Sequence, residues 1–483
     1  NERPAMNIPD ALAPAIALNR FGLGARPDEA PPADPRRWLL DQFGRFAPRP
    51  AAWMQQPGTD ALLADYQQRE RAVRDLPEAD RQAARQAIRK DARAGYLAAV
   101  NARVSSALDT PAPFVERLVH FWANHFAISV EKPQVLALAG AYEAEAIRPH
   151  VLGRFDQMLL AAVRHPAMLV YLDQAQSIGP DSPAARRAAE RNPERPRGLN
   201  ENLAREIMEL HTLGARSGYT QADVTEFARA LTGWSLMAPN ANPASAPMAQ
   251  DMAAAGGFQF RPQQHEPGTR TVLGRAYAEG GEAQALAVLR DIAVAPATAR
   301  HVATKLARHF VADDPPPALV ERLAASFQRS GGDLPAVYRT LVESPEAWRA
   351  GTGKFKTPWD WTLSSLRALR APEAAMGNAR EPRGARLAQV LDQLGQPVWR
   401  PGSPAGFDDI AGSWAAPDAL VRRVELAQRF AAQAGNTVDP RTVAPAVLPG
   451  AALGEGTRTA IARAESASTG LALLLVSPDF LRR

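Results

Sequence analysis

The sequence predicts a mainly α-helical fold, a large multi-helix single domain with a small β-hairpin insertion. Apolar residues recur every three or four positions through most of the chain, which is the spacing of one helix face. Strand-like alternation is confined to residues 258–274. The length of 483 residues suits one large domain or two or three average ones, and the 46% hydrophobic content allows a sizeable core.

Composition excludes several classes of protein. The net charge of +5 arises from 56 basic and 51 acidic residues. Because no basic arm or aromatic-studded basic motif accompanies this charge, we predict no nucleic-acid partner. No run approaches the roughly 18 apolar residues of a membrane-spanning helix, so we predict no membrane span. The absence of cysteine excludes disulfides, thiolate metal ligands and cysteine nucleophiles.

The stretch 200–214 is predicted to be a helix around which the chain is organised. Its apolar stripe has spacings of four and three, with an asparagine to cap the start: Leu203, Ile207, Leu210 and Asn200 or Asn202. Gly214 suits the helix end. Glu206 lies on one flank of the stripe and His211 on the other. Because ionised side chains at the edge of a buried face are costly unless partnered, these two residues mark a candidate catalytic site.

The helix predicted over 114–126 brings further polar groups into the core. It follows one or two long helices predicted within 58–108 and is apolar over a wide arc. Two imidazole rings and an amide crowd its end, at His120, Asn124 and His125. A histidine among aromatic residues is more often a satisfied core group than a metal ligand, but this crowding favours a site.

Two helices are predicted in the second half of the chain from local signals. Thr220 and Asp223 have the spacing of a capping box for a helix that ends at Gly233. A second helix covers 296–310, where one face carries basic residues at four-residue spacing, His301, Lys305 and His309. We interpret this row as an ordinary basic solvent face, and the alternative is a counter-charge to the acidic flank of 200–214.

Connecting segments are rich in proline, small and charged residues. We predict flexible inserts at 179–198, 236–257 and 434–455. The small β-hairpin is placed near 258–274, from the strand-like Phe258–Phe260 and the alternation at Thr271–Leu273. The loop 394–408 carries an exposed-looking pair, Trp399 and Arg400, and such loops are where binding surfaces tend to lie.

Several blocks resemble the bacterial family called domain of unknown function 1800. The matching segments include Asn-Arg-Phe-Gly-Leu-Gly (19–24), Phe-Trp-Ala-Asn-His-Phe (121–126), Glu-Asn-Leu-Ala-Arg-Glu (201–206), Glu-Leu-His-Thr-Leu-Gly (209–214) and Gly-Gln-Pro-Val-Trp-Arg-Pro (395–401). The resemblance spans nearly the whole chain. It implies a large helical bacterial protein, usually exported and therefore periplasmic or secreted, often encoded beside a secreted alkaline-phosphatase-like protein. It supplies no activity.

The leading hypothesis is a metal-dependent enzyme that acts on an extracytoplasmic substrate. Histidine and carboxylate ligands without thiolates suit zinc, iron, manganese or copper. The candidate ligands come from two helices and a loop: His125, Glu206, His211 and His265. Four polar groups are candidates to support these ligands from behind: Asn124, Arg205, Glu209 and Lys305. Because Glu206 and His211 are about 140° apart on an α-helix, they meet one ion only if the helix unwinds near Thr212.

Other enzyme classes and a purely structural role are the alternatives. A buried polar network would pair Arg205 with Glu209, and Glu206 with Lys305 or Arg117, while His211 complements a helix dipole. A glycosidase pair of Glu206 and Glu209 leaves no room for a sugar. Serine catalysis lacks its Gly-x-Ser-x-Gly elbow.

A non-catalytic scaffold or binding partner is the alternative from another class. Trp359, Trp361 and Trp399 would then contact a polysaccharide or a partner such as the alkaline-phosphatase-like protein. Burial in the core is the more frequent state of a tryptophan, and we favour it for each of the three.

Overall fold

The protein is mainly helical in a computed structural model that describes residues 11–191, 198–238, 257–351, 353–370, 383–435 and 438–483. The predicted fold class is confirmed. None of the helices in these segments has the length and apolar character needed to cross a bilayer.

The first half of the chain contains twelve α-helices in its described segments. They are α1 (Ala13–Ala15), α2 (Pro35–Asp41), α3 (Ala51–Met54), α4 (Thr59–Asp75), α5 (Glu78–Asp109), α6 (Pro113–His125), α7 (Pro133–Tyr142), α8 (Phe155–Arg164), α9 (Pro166–Tyr171), α10 (Pro183–Arg191), α11 (Asn202–Glu206) and α12 (Gln221–Leu231).

The second half continues in the same way. Its α-helices are α13 (Glu282–Ala293), α14 (Pro296–Phe310), α15 (Pro317–Ser330), α16 (Leu334–Glu343), α17 (Pro358–Ala368), α18 (Arg383–Gln393), α19 (Ala411–Trp414), α20 (Pro417–Ala434), α21 (Pro440–Val447), α22 (Glu455–Ala462) and α23 (Ala467–Leu475).

Prolines start many of these helices. The ring fixes φ for the first turn and lacks only an N–H that would be unpaired there anyway. In α2, α16 and α21 an aspartate accepts a backbone N–H in front of that proline: Asp34, Asp333 and Asp439. Thr220 and Asp223 form the predicted capping box of α12. The 42 prolines of the sequence therefore divide the chain into short helices.

The flexibility of the three predicted inserts stays a prediction, and two of these segments contain helices. The segment 179–198 contains α10, and 434–455 contains α21 and a 3₁₀ turn at Gly450–Ala452. Proline explains the helices in both segments. A proline-rich composition suggests a loop, but proline is also common in the first turn of a helix. Residues 192–197, 239–256, 436 and 437 lie outside the described residues, and so does most of the predicted insert 236–257.

The β structure consists of two small antiparallel pairs in the described residues. β1 (Trp234–Leu236) pairs with β2 (Phe258–Phe260), and β3 (Arg270–Val272) pairs with β4 (Arg275–Tyr277). The predicted hairpin is therefore shifted: it runs over 270–277 and turns at Leu273 and Gly274, both with positive φ. Phe258–Phe260 instead pairs with β1, a strand that the sequence pattern did not predict.

The 200–214 stretch is not a regular α-helix. α11 gives way to a π-helix at Ile207–His211, in which each hydrogen bond spans five residues. Gly214 ends the stretch with φ +89°, as expected for a residue that only glycine fills easily. The wider turn directs His211 into the core, where it is fully buried. Further π-helices occur at Ile16–Phe21 and Glu143–Ile147.

The buried apolar cluster draws on the chain from Ile16 to Phe480. Many charged side chains are buried beside it, among them Arg117, Arg148, Lys356 and Asp360. Buried charges are costly unless paired, so these groups must satisfy one another. Several of them converge on one side of α6, against a cavity. The single-domain organisation stays a prediction.

Candidate functional site

A cavity of about 410 Å³ lies between α6, α14, the start of α17 and the loop 394–410. Its charged lining consists of four basic side chains and three aspartates: Arg103, Arg117, Lys305, Arg308, Asp360, Asp408 and Asp409. Aromatic walls come from Phe121, Trp359, Trp399 and Phe407. Apolar walls with a few convergent polar groups are typical of small-molecule sites.

A histidine–aspartate pair stands at the centre of this lining. His309, on α14, has its Nδ1 2.5 Å from Oδ2 of Asp409. Its Nε2 is buried and has no hydrogen-bond partner among the described residues. Burial lowers the pKa of His309 to about 4, and the nearby Arg483 and Arg117 act in the same direction. The ring is therefore neutral at pH 7, with its proton on Nδ1 and a free lone pair on Nε2.

Cations keep Asp409 ionised. Burial on its own would raise the pKa of Asp409, but the contact with His309, which includes a hydrogen bond, and the cations Arg483 and Lys354 outweigh burial and hold the pKa well below its usual range. Nη2 of Arg483 lies 3.6 Å from Oδ1 of Asp409, and Nζ of Lys354 lies 3.5 Å from it. Lys354 also contacts Asp313 and the Asp409 carbonyl oxygen. An ionised Asp409 accepts the His309 proton and so fixes the ring orientation.

A second buried aspartate, Asp360, lies near Asp409 and is also paired with arginine. Nη1 of Arg117 donates to Oδ1 of Asp360 at 2.9 Å, and Nε of Arg117 donates to the Gly22 carbonyl oxygen at 2.7 Å. Arg483 contacts the other Asp360 oxygen at 3.1 Å. Arg483 thus links both aspartates, and it reaches them because residues 354–356 pair with 481–483 through backbone hydrogen bonds.

Lys305 differs from these cations because no described residue is paired with it. It lies one helical turn before His309 on α14 and lines the cavity. No hydrogen bond or ion pair joins its ammonium group to any described residue. Burial lowers the pKa of Lys305 to about 8, with Asp409 opposing and Arg308 adding to the shift. Lys305 is half-buried, and an amine without a counter-charge at a cavity wall can bind an anionic ligand.

The wall opposite α14 is a network of tryptophans and charges. Nε1 of Trp359 donates to Nδ1 of His120 at 3.1 Å, and Nε1 of Trp399 donates to Glu143 at 2.9 Å. The Arg103 guanidinium lies 4.3 Å from the Trp359 ring centre and makes an ion pair with Glu143. Stacked and paired side chains of this kind keep their geometry without a ligand.

The loop 394–410 forms the cover of the cavity. Asn124 holds it with two hydrogen bonds to Phe407, from the side-chain amide to the carbonyl oxygen at 2.9 Å and from the backbone N–H to Oδ1 at 2.8 Å. Trp399 is buried and has φ +50°, a strained value for a bulky residue. Its burial is the state favoured for the three tryptophans, and the exposed appearance of the pair holds only for Arg400.

The three tryptophans considered as binding residues are all buried. Trp359 and Trp361 are buried as favoured from the sequence. Trp361 donates to the Leu475 carbonyl oxygen and belongs to the core, whereas Trp359 and Trp399 line the cavity.

The structure brings together two of the four predicted metal ligands, His125 and His211. Their ring centroids lie 6.3 Å apart, and Nε2 of His125 donates to the His211 carbonyl oxygen at 3.0 Å. His301 joins them, with its ring 6.0 Å from that of His125. Burial lowers the pKa of His211 to about 3, so it is neutral and is not the cation at a helix end that the sequence suggested.

Glu206 does not join these histidines. It is half-buried, and burial and then Glu209 raise its pKa. The predicted pairing of Arg205 with Glu209 is wrong, because Arg205 binds Glu201 at 3.0 Å, one turn earlier on the same side. Glu209 accepts a hydrogen bond from Tyr219. Neither predicted partner of Glu206 contacts it. Arg117 is paired with Asp360, and Lys305 lines the cavity.

His265 sits apart from all of these groups. Its Nδ1 donates to the Thr232 carbonyl oxygen at 2.9 Å, beside the ring of Phe260, and it does not line the cavity. In the described residues, no group of three or more histidine, aspartate and glutamate side chains is arranged to hold a metal ion. The predicted ligand set is therefore divided between separate places.

Sequence reasoning missed the principal pair of the cavity. The row His301, Lys305 and His309 was interpreted as a solvent face, but His301 and His309 are largely buried and all three line the cavity. Two sequence features could have indicated this pair: the four-residue spacing of the basic row, and the Pro/Gly-rich loop that leads to Asp409. Asn124, predicted to support a metal ligand, instead fixes that loop.

Fold and site together define a mainly helical protein with a buried, charged cavity fit for a small molecule. A family model described as protein of unknown function (DUF1800) matches residues 16–482, and the chain therefore belongs to that family. No curated protein and no solved structure matches the chain.

Proposed function

We propose that the protein is an enzyme that removes a proton from the carbon next to the carbonyl group of a small organic anion. The observation that carries the proposal is the His309–Asp409 pair, in which Nδ1 is held at 2.5 Å and Nε2 is free in a cavity-lining ring. A histidine oriented by a carboxylate is a recurrent general base. His309 is the base, and Asp409 orients it.

The charges of the cavity support an anionic substrate. Four basic side chains and three aspartates line it, and the Lys305 ammonium has no carboxylate within ion-pair distance among the described residues. A substrate carboxylate would supply the missing negative charge. The same cations would stabilise the charge that develops on a carbonyl oxygen when the neighbouring carbon loses its proton.

Hydrogen–deuterium exchange tests the proposal without knowledge of the natural substrate. Pyruvate, 2-oxobutyrate, 2-oxoglutarate and levulinate are incubated in D₂O with the protein, and loss of the proton signal next to the carbonyl is followed by NMR. We expect accelerated exchange in at least one of these acids. His309→Gln should abolish the acceleration, because glutamine keeps the size but is not a base.

His150→Gln is the matched control, since His150 is a half-buried histidine that does not line the cavity. It should exchange at the wild-type rate. Equal rates for His309→Gln and the wild-type protein, or no acceleration with any of the four acids, would contradict the proposal.

The other expectations stay predictions. They are export to the periplasm or beyond, a polysaccharide or alkaline-phosphatase-like partner, and a divalent metal. Metal analysis of protein purified without chelator tests the last of these. Stoichiometric metal that is lost in His211→Ala supports it, and its absence removes the metal-dependent mechanism.

A further inference from the structure

We infer that Lys305 is a covalent catalytic residue whose Nζ forms an imine with the carbonyl carbon of the substrate. This inference rests on the proposed function of the same cavity. It adds a named nucleophile and limits the substrates to aldehydes and ketones. Because Lys305 is neutral when it attacks, the arginines of the cavity are the cations that favour oxo acids as the substrate class.

The placement of Lys305 on α14 supports this role. Residues four apart on a helix lie on one face, with Cβ atoms about 6 Å apart. Lys305 and His309 therefore direct an amine and an imidazole into the same cavity. A substrate held between them meets the nucleophile at its carbonyl carbon and the base at the neighbouring carbon.

The other buried lysines have partners that Lys305 lacks. Lys354 is paired with Asp313 and Asp409, and Nζ of Lys356 donates to Ser364 Oγ at 3.0 Å. Lys132, near the surface, is paired with Asp173 at 2.7 Å. An amine must lose its proton before it attacks a carbonyl, and a carboxylate partner opposes that loss. Lys305 is thus the lysine in the cavity that is free to react.

The electrostatic surroundings favour the neutral amine. Burial is the main cause that lowers the pKa of Lys305, and Arg308 adds to it. With a pKa of about 8, about one tenth of Lys305 is neutral at pH 7. Desolvation and a neighbouring cation are the usual means by which enzymes activate a lysine.

The reaction balances without any further reactant. The Lys305 ammonium first releases one proton, and the nitrogen lone pair then attacks the carbonyl carbon. The C=O bond is replaced by C=N, and the oxygen leaves as water with the released proton and one further proton from the nitrogen, so that the nitrogen keeps one hydrogen and the product is the positive iminium. The proton on the adjacent carbon then passes to Nε2 of His309, and its bonding electron pair forms C=C as the iminium becomes an enamine. His309 has a low pKa and is a weak base, so it needs a strongly acidic carbon, and the positive iminium supplies one.

Reductive trapping tests the inference directly. The wild-type protein is treated with each of pyruvate, 2-oxobutyrate, 2-oxoglutarate and levulinate in the presence of sodium borohydride, and intact and peptide masses are measured. The chain has five lysines, at positions 90, 132, 305, 354 and 356, so peptides distinguish them. We expect one reduced adduct per chain, on Lys305, formed with the same acids whose protons exchange.

Lys305→Arg separates a covalent role from an electrostatic one, because arginine keeps the charge but forms no imine. The variant should lose trapping and at least 100-fold of the exchange rate, whereas the control Lys132→Arg should keep both. If Lys305→Arg does not fold, Lys305→Met tests the loss of trapping and of exchange in its place.

The outcomes distinguish this inference from the proposed function. Exchange that depends on His309 without any Lys305 adduct, or exchange retained in Lys305→Arg, would overturn the imine and leave proton removal in place. A Lys305 adduct without accelerated exchange would support the imine and overturn proton removal. Equal adducts on all lysines would show only the general reactivity of amines and would also overturn the imine.

Discussion

His309 depends on a residue 100 positions later in the chain, because Asp409 fixes both its orientation and its tautomer. Asp409 in turn is held by Arg483 and Lys354. Each of these side chains is costly to bury alone, and their opposite charges compensate one another. The arrangement therefore concentrates buried charge at one place, and Nε2 of His309 and the Lys305 amine are among the cavity groups without a partner in the described residues.

Replacement of Asp409 should disable the base while the ring stays in place. In Asp409→Asn the side-chain amide can donate to Nδ1, which moves the ring proton to Nε2 and removes the free lone pair. We expect a loss of exchange rate of about 10³-fold. The control is Asp418→Asn, because Asp418 is an exposed aspartate outside the cavity lining and accepts a hydrogen bond from Arg422. Similar rates in the two variants would contradict the orienting role.

The pH dependence of exchange should show two rising steps. His309 must be neutral to accept a proton, so the rate falls as the pH drops through about 4. Lys305 must be neutral to attack, so the rate rises further as the pH passes about 8. Exchange rates at limiting substrate are measured by NMR over the pH range in which circular dichroism shows the folded protein. Lys305→Arg should remove the upper step, and a single step near 6.5 would indicate an unperturbed histidine instead.

At the scale of elements, one wall of the cavity is a loop fixed to one helix. Asn124 near the end of α6 binds Phe407 twice, and Gly406 lies directly against it. A Cβ atom at Gly406 would approach the Asn124 carbonyl oxygen to 2.4 Å. Because that oxygen is backbone, neither partner can turn aside, and the loop must move as a unit.

Alanine at Gly406 should therefore displace the loop, beyond the ordinary cost of a positive φ. Gly395 in the same loop is a matched control, since it has φ +84° against +80° at Gly406 but would place its Cβ in open space. We expect Gly395→Ala to cost about 1–2 kcal/mol and Gly406→Ala clearly more. Urea unfolding gives the two free energies, and hydrogen exchange at the Phe407 amide should rise in Gly406→Ala alone.

Local patterns predicted the helices that frame the site. The apolar spacing at 114–126 and 296–310 and the capping box at Thr220 correspond to α6, α14 and α12. The same patterns failed where packing decides the outcome. The change from α-helix to π-helix at Ile207 leaves the apolar spacing unchanged, so the sequence pattern does not reveal it. The contact between His309 and Asp409 joins segments 100 residues apart, which lies beyond the reach of local patterns. Charge spacing alone also does not tell a solvent face from the wall of a polar cavity.

At the scale of the whole molecule, seven histidines have lowered pKa values. They are His120, His125, His150, His165, His211, His301 and His309. Their main common cause is burial, which disfavours the charged ring. Between the folded pKa and the unfolded value of about 6.5, the unfolded chain binds protons that the folded chain does not. Stability is therefore full above about pH 6.5 and is lost as the pH falls towards 4.

His165 offers a measurement of this effect away from the cavity. Its pKa of about 3 means that acidification from pH 7 to 5 should cost about 2 kcal/mol at this residue alone. Urea unfolding at both pH values should show a smaller difference for His165→Gln than for the wild-type protein, by about that amount. An unchanged difference would mean that His165 is protonated in the folded state, despite its contacts with Thr59 and the Ala167 N–H.

The backbone pairing of 354–356 with 481–483 also affects when the cavity is completed during synthesis. The ribosome adds Arg483 after both of the aspartates that it touches, Asp360 and Asp409. Until Arg483 leaves the exit tunnel, these two carboxylates lack one of their cations. A nascent chain that already exposes α14 and the loop 394–410 would therefore hold an unfinished cavity, and its reactive groups would be assembled only once residues 481–483 have emerged.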